Sequence, residues 1–445
     1  MPHFRGRSSS SLIATIAILV ALVGCNSSDP PTGPVPSGPA PFVEFDVTFS
    51  EPPLVGNVQV TPYPTTIGWR YHVDPIAPGR EAHGGVLDGP VSIPYRLETL
   101  GSHRVQVELI GPDGLVVVEK RLVVTDPASD FQVLDLLPVE EIWPDAPALS
   151  PEGIVLDYYG GYLYVANYVS GEVVQVDART FEAYTEPRIQ LSPGVEGLAV
   201  TPSAMRLLAS HKHELLSVAW LPDLRLSWEK SGLGEFFVGV LDESHALVSG
   251  FPLASVNLDQ RLVEHQAGAF HAGHFAIDRS RGRVAVSNLS RRSVDILRLP
   301  SLSEIRTIPL DPLHPTQVAF DPHEDKAYAF AKDDLGQGWF LILDPSAGTW
   351  IASTPLGTGA CSGYCVANPV ATFGGGRYVA FEQSGSVLVI DTDLDQPGYR
   401  FGLPPVGVVG GPAGVAALRD SDILYVLGGP YDALTKIRLR ASAGP

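Results

Sequence analysis

Apolar residues fall in short runs along the C-terminal part of the chain, separated by turns and polar loops. The fullest copy of the pattern is an apolar strand at 151–157 (PEGIVLD), a second strand at 162–167 (YLYVAN) and a third at 172–177 (EVVQVD). Seven copies follow one another, and their first strands end at Asp157, Thr201, Asp242, Asp278, Asp321, Phe373 and Leu418. The steps of about 36 to 52 residues bracket the period of four-stranded propeller blades. The pattern predicts an all-β seven-bladed β-propeller over residues 130–440, and the third copy is the shortest and least typical.

The last copy shows only three strands, at 414–418, 423–427 and 434–439, whereas residues 131–136 (FQVLDL) form one extra strand before the first copy. A ring of blades must close without leaving an unpaired strand edge. We therefore expect residues 131–136 to pair with the last blade as its missing outer strand.

The first 25 residues have the character of a targeting segment, with Arg5 and Arg7 before an apolar stretch too short to span a bilayer comfortably. The stretch ends in LVGC, which resembles the bacterial lipobox. That resemblance implies cleavage before Cys25, a lipid on Cys25 and, because Asn26 follows it, a place in the cell envelope at the outer membrane. The alternative is an ordinary secretory leader with an incidental cysteine.

Two segments lie between the leader and the repeats. Residues 26–41 are rich in proline, glycine and serine, which predicts an extended tether. Residues 42–126 contain alternating apolar strands separated by turn sequences, which predicts a small β-sandwich. Within it, residues 101–109 (GSHRVQVEL) resemble the late strands of PKD and related immunoglobulin-like domains. That resemblance implies a spacer or an adhesion unit, and a spacer is the favoured interpretation.

Charge and cysteine content narrow the possible partners. The 445-residue chain has 30 basic and 49 acidic residues, a net charge of -19. Removal of the leader takes away two arginines and no acids, so the net charge becomes −21. Such a surface repels phosphate backbones, which argues against nucleic-acid binding. Cys361 and Cys365 are separated by three residues, and in an oxidising compartment we expect them to form a local disulfide.

The repeat resembles one known family of propellers. In residues 163–167 (LYVAN) followed by 171–177 (GEVVQVD), it is similar to the YVTN/YncE-like repeat, with weaker copies at 283–288 and 385–391. The resemblance spans about residues 130–440. It implies the propeller fold and carries no particular function.

Polar residues recur where the first strand of each repeat begins and where its second strand ends. These two places meet at one mouth of the central channel of a propeller. The starts of first strands carry Glu152, Glu196, His274, Gln317 and Asn368. The ends of second strands carry Asn167, His211, Asn288 and Glu382. Carboxylates, amides and imidazoles around one funnel could bind a small ligand or a divalent cation such as Ca²⁺.

A metal-dependent reaction is the alternative to simple binding. Glu152-Gly153 and Glu196-Gly197 resemble the metal-binding glutamate of gluconolactonase (SMP-30-like) propellers. That resemblance implies a cation held by Glu152, Glu196, Asn167 and Asn288, and a lactonase or hydrolase activity. The family's catalytic aspartate has no counterpart, since the sixth and seventh copies offer Glu382 and Gly428 instead. Glycine at these places is also explained by the tight turn that begins the strand.

No nucleophile elbow, zinc-protease motif or phosphate-binding loop occurs in the sequence. The favoured interpretation is a lipid-anchored envelope protein whose propeller binds a ligand or protein, or acts as a scaffold, through its polar channel mouth. Metal-dependent hydrolysis is the second hypothesis. Fold alone does not decide between them.

Overall fold

The structure is a computed structural model of the chain, which divides into two compact units, Met1–Pro127 and Ala128–Pro445. The leader with Cys25, the tether, Cys361, Cys365 and Asn368 lie outside the described residues. The structure describes residues 42–47, 54–61, 68–74, 82–84, 89–97, 101–111, 114–124, 131–144, 151–186, 188–221, 224–233, 236–268, 270–358, 370–383, 386–402, 412–428 and 433–439.

The first unit is built from antiparallel strands. Its described strands are β1 (Phe42–Val47), β2 (Leu54–Thr61), β3 (Gly68–Asp74), β4 (Ala82–Gly84), β5 (Val91–Leu97), β6 (Gly101–Gly111) and β7 (Gly114–Val124). They form one sheet of order β1-β2-β5 and another of order β4-β3-β6-β7. In β6, Val105, Val107 and Leu109 are fully buried and alternate with partly exposed polar residues, as expected for a strand covered on one face. The assignment of this unit as immunoglobulin-like stays a prediction.

The second unit begins with strand β8 (Phe131–Pro138), helix α1 (Val139–Ile142) and the strands of the first repeat. The next strands are β9 (Pro151–Leu156), β10 (Tyr162–Asn167), β11 (Glu172–Asp177), β12 (Ile189–Gln190), β13 (Val195–Val200), β14 (Arg206–His211), β15 (Leu215–Trp220), β16 (Arg225–Ser231), β17 (Val238–Val240), β18 (His245–Val248), β19 (Ala254–Asn257) and β20 (Leu262–Gln266).

The remaining strands complete the repeats, with one short 3₁₀ helix at Gly374–Gly376. They are β21 (Ala272–Asp278), β22 (Arg283–Asn288), β23 (Ser293–Arg298), β24 (Glu304–Pro309), β25 (His314–Phe320), β26 (Ala327–Lys332), β27 (Gln337–Asp344), β28 (Thr349–Thr358), β29 (Val370–Phe373), β30 (Tyr378–Gln383), β31 (Ser386–Asp391), β32 (Gln396–Gly402), β33 (Pro412–Ala417), β34 (Ile423–Gly428) and β35 (Ala433–Leu439).

The described strands of this unit form seven antiparallel sheets of four strands each, so the prediction of a seven-bladed β-propeller is confirmed. Blade 1 is β9–β12, blade 2 is β13–β16, and blades 3 to 6 continue in the same order through β32. The short third repeat is a complete blade, β17–β20. The first strand of each blade is innermost, and β33 of the last blade lies against β9 of the first.

The seventh blade is completed by the strand that precedes the first repeat, as the count of strands predicted. Strand β8 pairs antiparallel with β35, with Phe131 opposite Leu439 and Pro138 opposite Ala433. After β8 the chain stays anchored, because Ile142 and Trp143 are at most 1% exposed and pack between blades 7 and 1. The ring is therefore closed by joining the two ends of the propeller domain.

The core of the propeller lies between blades. Seven apolar clusters among the described residues each combine side chains of two neighbouring blades, including the pair formed by blades 7 and 1. Middle strands are covered on both faces, so β10 reads as a nearly continuous apolar run. The outer strand β16 is less covered than β10 on both faces, and most of its residues are polar and exposed. No helix in the described part has the length and apolar character needed to cross a bilayer.

Candidate functional site at the upper channel mouth

We call the end of the channel where the innermost strands begin the upper mouth, and the opposite end the lower mouth. In five blades of the described chain the innermost strand carries a β-bulge near this end. The extra residues include Gly153, Glu196 and Thr316, and in blade 4 Gly273 and His274 together face one partner. A bulge bends the strand and redirects side chains. It therefore decides which of the polar residues at the mouth point into the channel.

The two predicted glutamates lie in blades 1 and 2, and a cation lies near both. Glu196 is 4% exposed, and Glu152 is partly buried. The pKa of Lys212 is raised, first by a hydrogen bond to the Tyr168 phenol and further by the fields of Glu196 and Glu152. The Lys212 ammonium lies 5.8 Å from the centre of the Tyr168 ring. Part of the negative charge of these carboxylates is thus balanced by a residue of the chain itself.

The glycine that follows Glu196 has a packing role. A Cβ on Gly197 would lie 2.7 Å from Ser210 Oγ and 2.9 Å from the Phe236 carbonyl oxygen. Ser210 Oγ donates to that same carbonyl at 3.0 Å. The glycine therefore lets the chain before β17 approach blade 2 closely, and this approach positions Phe236 at the mouth.

The two predicted asparagines stabilise turns. Asn167 is fully buried, and its Oδ1 accepts a hydrogen bond from the Val169 amide at 3.0 Å. Asn288 is also fully buried; its Oδ1 accepts from the Arg291 amide at 3.0 Å, and its Nδ2 donates to Asp295 at 2.6 Å. Side-chain oxygens that cap a turn in this way are the usual reason for asparagine after a strand. Both amides have this structural use whether or not a ligand binds nearby.

His211 belongs to a hydrogen-bond chain inside blade 2. It is 1% exposed, its Nδ1 lies 3.3 Å from the Pro193 carbonyl oxygen, and its Nε2 lies 2.7 Å from Ser217 Oγ. Ser217 Oγ donates to Glu229 at 2.6 Å. Burial lowers the pKa of His211, although the carbonyl and Glu229 oppose this shift. Both ring nitrogens lie beside protein oxygens, so the ring links β14 to β15 and to the loop before β13.

The remaining predicted residues are distributed around the ring. Gln317 is fully buried in β25 of blade 5, and Glu382 lies in β30 of blade 6, where its side chain is not among those described. In the part of the chain that the structure describes, no three His, Cys, Asp or Glu side chains are grouped in a way that could hold a metal ion. A site made of Glu152, Glu196 and the two asparagine oxygens stays a prediction.

A concave pocket of about 470 Å³ lies on the other side of the upper mouth, among blades 3, 4 and 5. Its size falls in the range of small-molecule sites, roughly 300–1,000 Å³. Apolar and charged side chains both contribute to the wall. The lining residues are Phe236, Phe237, Gly273, His274, Leu289, His314, Pro315, Thr316, Lys332, Asp333 and Asp334.

The aromatic wall of this pocket is fixed by hydrogen bonds to its backbone. The Phe237 amide donates to Ser249 Oγ at 2.7 Å, and Phe237 itself is only 6% exposed. The ring of Phe236 stacks on His271 with 5.5 Å between centroids. Phe237 meets the His274 ring edge-on at 4.9 Å, a geometry that aromatic pairs favour. These contacts make the wall rigid before any ligand arrives.

His274 is the central polar group of the pocket, and its tautomer follows from its partner. The Val318 amide donates to Nδ1 at 3.1 Å, so Nδ1 must carry the lone pair and Nε2 the proton. The ring is 8% exposed, and burial lowers its pKa to about 3. Nε2 has no hydrogen-bond partner among the described residues, and His274 lines both the pocket and the channel below it. The neutral ring thus offers one N–H donor to the cavity.

The charged side of the pocket comes from blades 4 and 5. Asp334 accepts from His314 Nε2 at 2.8 Å and from Arg292 at 3.4 Å, and the His314 hydrogen bond lowers the pKa of Asp334. Asp333 Oδ1 caps the next turn by accepting hydrogen bonds from the amides of Leu335 and Gln337.

The ammonium of Lys332, at the end of β26, makes no ion pair or hydrogen bond within the described part of the chain.

Several residues of this pocket were missed at the level of sequence. His314 begins β25 and Lys332 ends β26, so both occupy the positions that the repeat rule selects in the other blades. Applying the rule to the fifth repeat would have found them. Phe236 and Phe237 lie just before a short strand of the atypical third repeat, and no pattern in the sequence pointed to them.

The lower mouth is narrowed by a contact between blades 4 and 1, which are not neighbours. Arg279 Nη2 donates to Tyr158 Oη at 3.0 Å and to the Val240 carbonyl at 2.5 Å, and Nε donates to the Leu241 carbonyl at 3.1 Å. Both Arg279 and Tyr158 line the central cavity of about 430 Å³. The contact restricts the lower opening of the channel.

The fold and this pocket define the chain as a seven-bladed β-propeller with a ligand-sized cavity at one channel mouth. No protein-family model matches the sequence, and no curated protein is similar to it at a significant level. Many solved structures share the fold. One is hydrazine synthase from Kuenenia stuttgartiensis, at 16% identity and a TM-score of 0.54 over 66% of this chain and 98% of that one. Another is the Cps50 (Swd1) β-propeller domain from Myceliophteria thermophila, at 10% identity and a TM-score of 0.52 over 69% and 99%. At these identities the likeness establishes the fold alone.

Proposed function

We propose that this protein is a binding module whose propeller takes a small ligand, or a small group of a larger partner, into the pocket at the upper mouth. The propeller fold is consistent with a binding or scaffold role. The observation that carries the proposal is His274, a side chain more than nine-tenths buried whose Nε2 proton has no partner among the described residues and whose ring lines a cavity of about 470 Å³. A ligand acceptor at Nε2 would form a hydrogen bond worth about 0.5–1.5 kcal/mol net.

The test is a thermal-shift screen with small acids, amides, amines and sugars, followed by calorimetry on the compounds that raise the melting temperature. A ligand at a hundred times its Kd adds about 2.7 kcal/mol to the stability of the folded state, which is readily measured. We expect saturable binding at one site per chain. Absence of binding across the whole panel would contradict the proposal.

Two variants locate the site. Leu289 lines the pocket and is partly exposed, so Leu289→Trp fills the cavity without disturbing the core. Val169 is 46% exposed in blade 1 and does not line the pocket, so Val169→Trp adds the same bulk elsewhere. We expect the first variant to lose binding and the second to keep it. Equal affinities in the two variants would place the ligand outside this pocket.

We also propose that the protein works in the bacterial cell envelope, held at the outer membrane by a lipid on Cys25. The support is the sequence of the leader, with its basic start, short apolar stretch and LVGC ending. Metabolic labelling with palmitate tests the anchor, with Cys25→Ser as the control. We expect label and membrane association in the natural protein and neither in the variant; an unlabelled natural protein would exclude the anchor.

A further inference from the structure

We infer that the ligand of the upper-mouth pocket is an apolar molecule or group that carries one carboxylate, with the carboxylate between His274 and Lys332. This inference deepens the proposed function and rests on it. It assigns the class of ligand from the chemistry of the groups that face the cavity.

The first step is the hydrogen-bonding character of His274. Because Nδ1 is occupied by the Val318 amide at 3.1 Å, the side chain presents Nε2 to the cavity as a donor only. The ligand atom that meets it must therefore be an acceptor. An ammonium group or a protonated amine would offer this donor no acceptor.

The second step is the charge balance at the wall. Two carboxylates lie near Lys332, and both already have partners: Asp334 is bound by His314 and Arg292, and Asp333 caps the turn that follows it. The ammonium of Lys332 has no partner in the described chain. In a chain of net charge -19, a lysine that forms no ion pair in the described chain and lines a cavity favours an anionic group on the ligand.

The third step is the rest of the wall. Phe237, Leu289 and Pro315 line the cavity with apolar surface, and the Phe237 ring is held edge-on to His274. Apolar walls with a few convergent polar groups are typical of sites for amphipathic small molecules. One ammonium and one imidazole N–H suit the two oxygens of a carboxylate. A phosphate, with more charge and more acceptor atoms, would need further donors that the described wall does not supply.

Matched acid and amide probes test the inference: phenylacetate against phenylacetamide, and hexanoate against hexanamide, each measured by ligand-observed NMR and calorimetry. A charged hydrogen bond to the acid should make it bind about tenfold more tightly than its amide. Lys332→Met should abolish this preference. Lys212→Met removes one positive charge from the same mouth outside the pocket, and we expect it to keep the preference.

The outcomes separate the class of ligand from the function itself. If acid and amide bind with equal affinity and Leu289→Trp abolishes both, the pocket binds ligands but the carboxylate assignment is wrong. If the preference for the acid survives Lys332→Met, the lysine is not the recognising group and the inference fails. If no probe and no member of the wider panel binds, the proposed function fails together with the inference.

Discussion

Ring closure by β8 gives a quantitative prediction. Phe131, the first residue of β8, is 1% exposed and packs between blades 6 and 7. Phe131→Ala leaves the backbone pairing with β35 possible but removes the side chain that anchors the strand. Truncating a buried phenylalanine to alanine costs about 3–5 kcal/mol. At roughly 2 °C per kcal/mol for a domain of this size, the melting temperature should fall by about 6–10 °C.

Two control variants separate closure from a simple loss of packing. Phe340 is equally buried, at 1% exposure, but lies between blades 5 and 6, away from the closure. Phe340→Ala should cost a similar free energy. Tyr159 is 74% exposed, and Tyr159→Ala should change the stability by less than about 0.5 kcal/mol.

Hydrogen exchange read by mass spectrometry distinguishes the two buried sites. Loosening β8 frees the edge of β35, so Phe131→Ala should accelerate amide exchange in Ala433–Leu439 before the ring as a whole unfolds. Phe340→Ala should leave exchange in that segment unchanged. Unaltered exchange of β35 in Phe131→Ala, or a melting temperature equal to that of the natural protein, would refute closure by this strand.

Further predictions concern the polar groups of the mouth. Ser217→Ala should cost about 1–3 kcal/mol by calorimetric unfolding, because the buried Nε2 of His211 loses its partner; no loss would show that water replaces the hydroxyl. The pKa of His274 is about 3 in the folded state and near 6.5 when unfolded, so the unfolded chain gains a proton first and the natural protein should lose stability as the pH falls below about 6.5. His274→Gln should lose less over pH 6.5 to 4, and identical pH profiles would contradict this reasoning. If the predicted metal site exists, Ca²⁺, Mn²⁺ or Zn²⁺ should raise the melting temperature, and Glu152→Gln or Glu196→Gln should abolish that rise; a rise that survives both variants would place the metal elsewhere.

The architecture could be predicted because the strands of each blade recur at a regular spacing along the sequence. Each blade needs three covered strands and one exposed strand, so apolar and polar runs return at the blade length, and seven first-strand endings can be counted directly. Closure followed from the same count, since the last repeat lacked a strand and the segment before the first repeat supplied it. These predictions depend on strand order and burial, and both produce a periodic pattern of apolar and polar runs in the sequence.

The roles of residues at the mouth could not be predicted in the same way. Asn167, His211 and Asn288 end the second strands of blades 1, 2 and 4, and in each blade a turn amide, a hydroxyl or a carboxylate meets the side chain. Whether a polar residue caps a turn or faces the channel depends on the bulge beside it and on the partner across the blade. Neither is visible in residue type or spacing.

The geometry of a propeller explains why so few polar groups are left for a ligand. Second strands end at the mouth in buried turns, and the donors and acceptors of those turns must be satisfied inside the protein. Asparagine and histidine at these ends therefore form hydrogen bonds within their own blade, as Asn288 and His211 do. A polar side chain can bind a ligand only where other residues already form the hydrogen bonds that its blade requires. The Val318 amide of blade 5 binds Nδ1 of His274, and the acids beside Lys332 have partners in their own loop and in blades 4 and 5. Among the lining residues of the pocket, His274 Nε2 and the Lys332 ammonium are therefore left without partners in the described chain. Binding at this mouth thus depends on the asymmetry between blades that otherwise share one pattern.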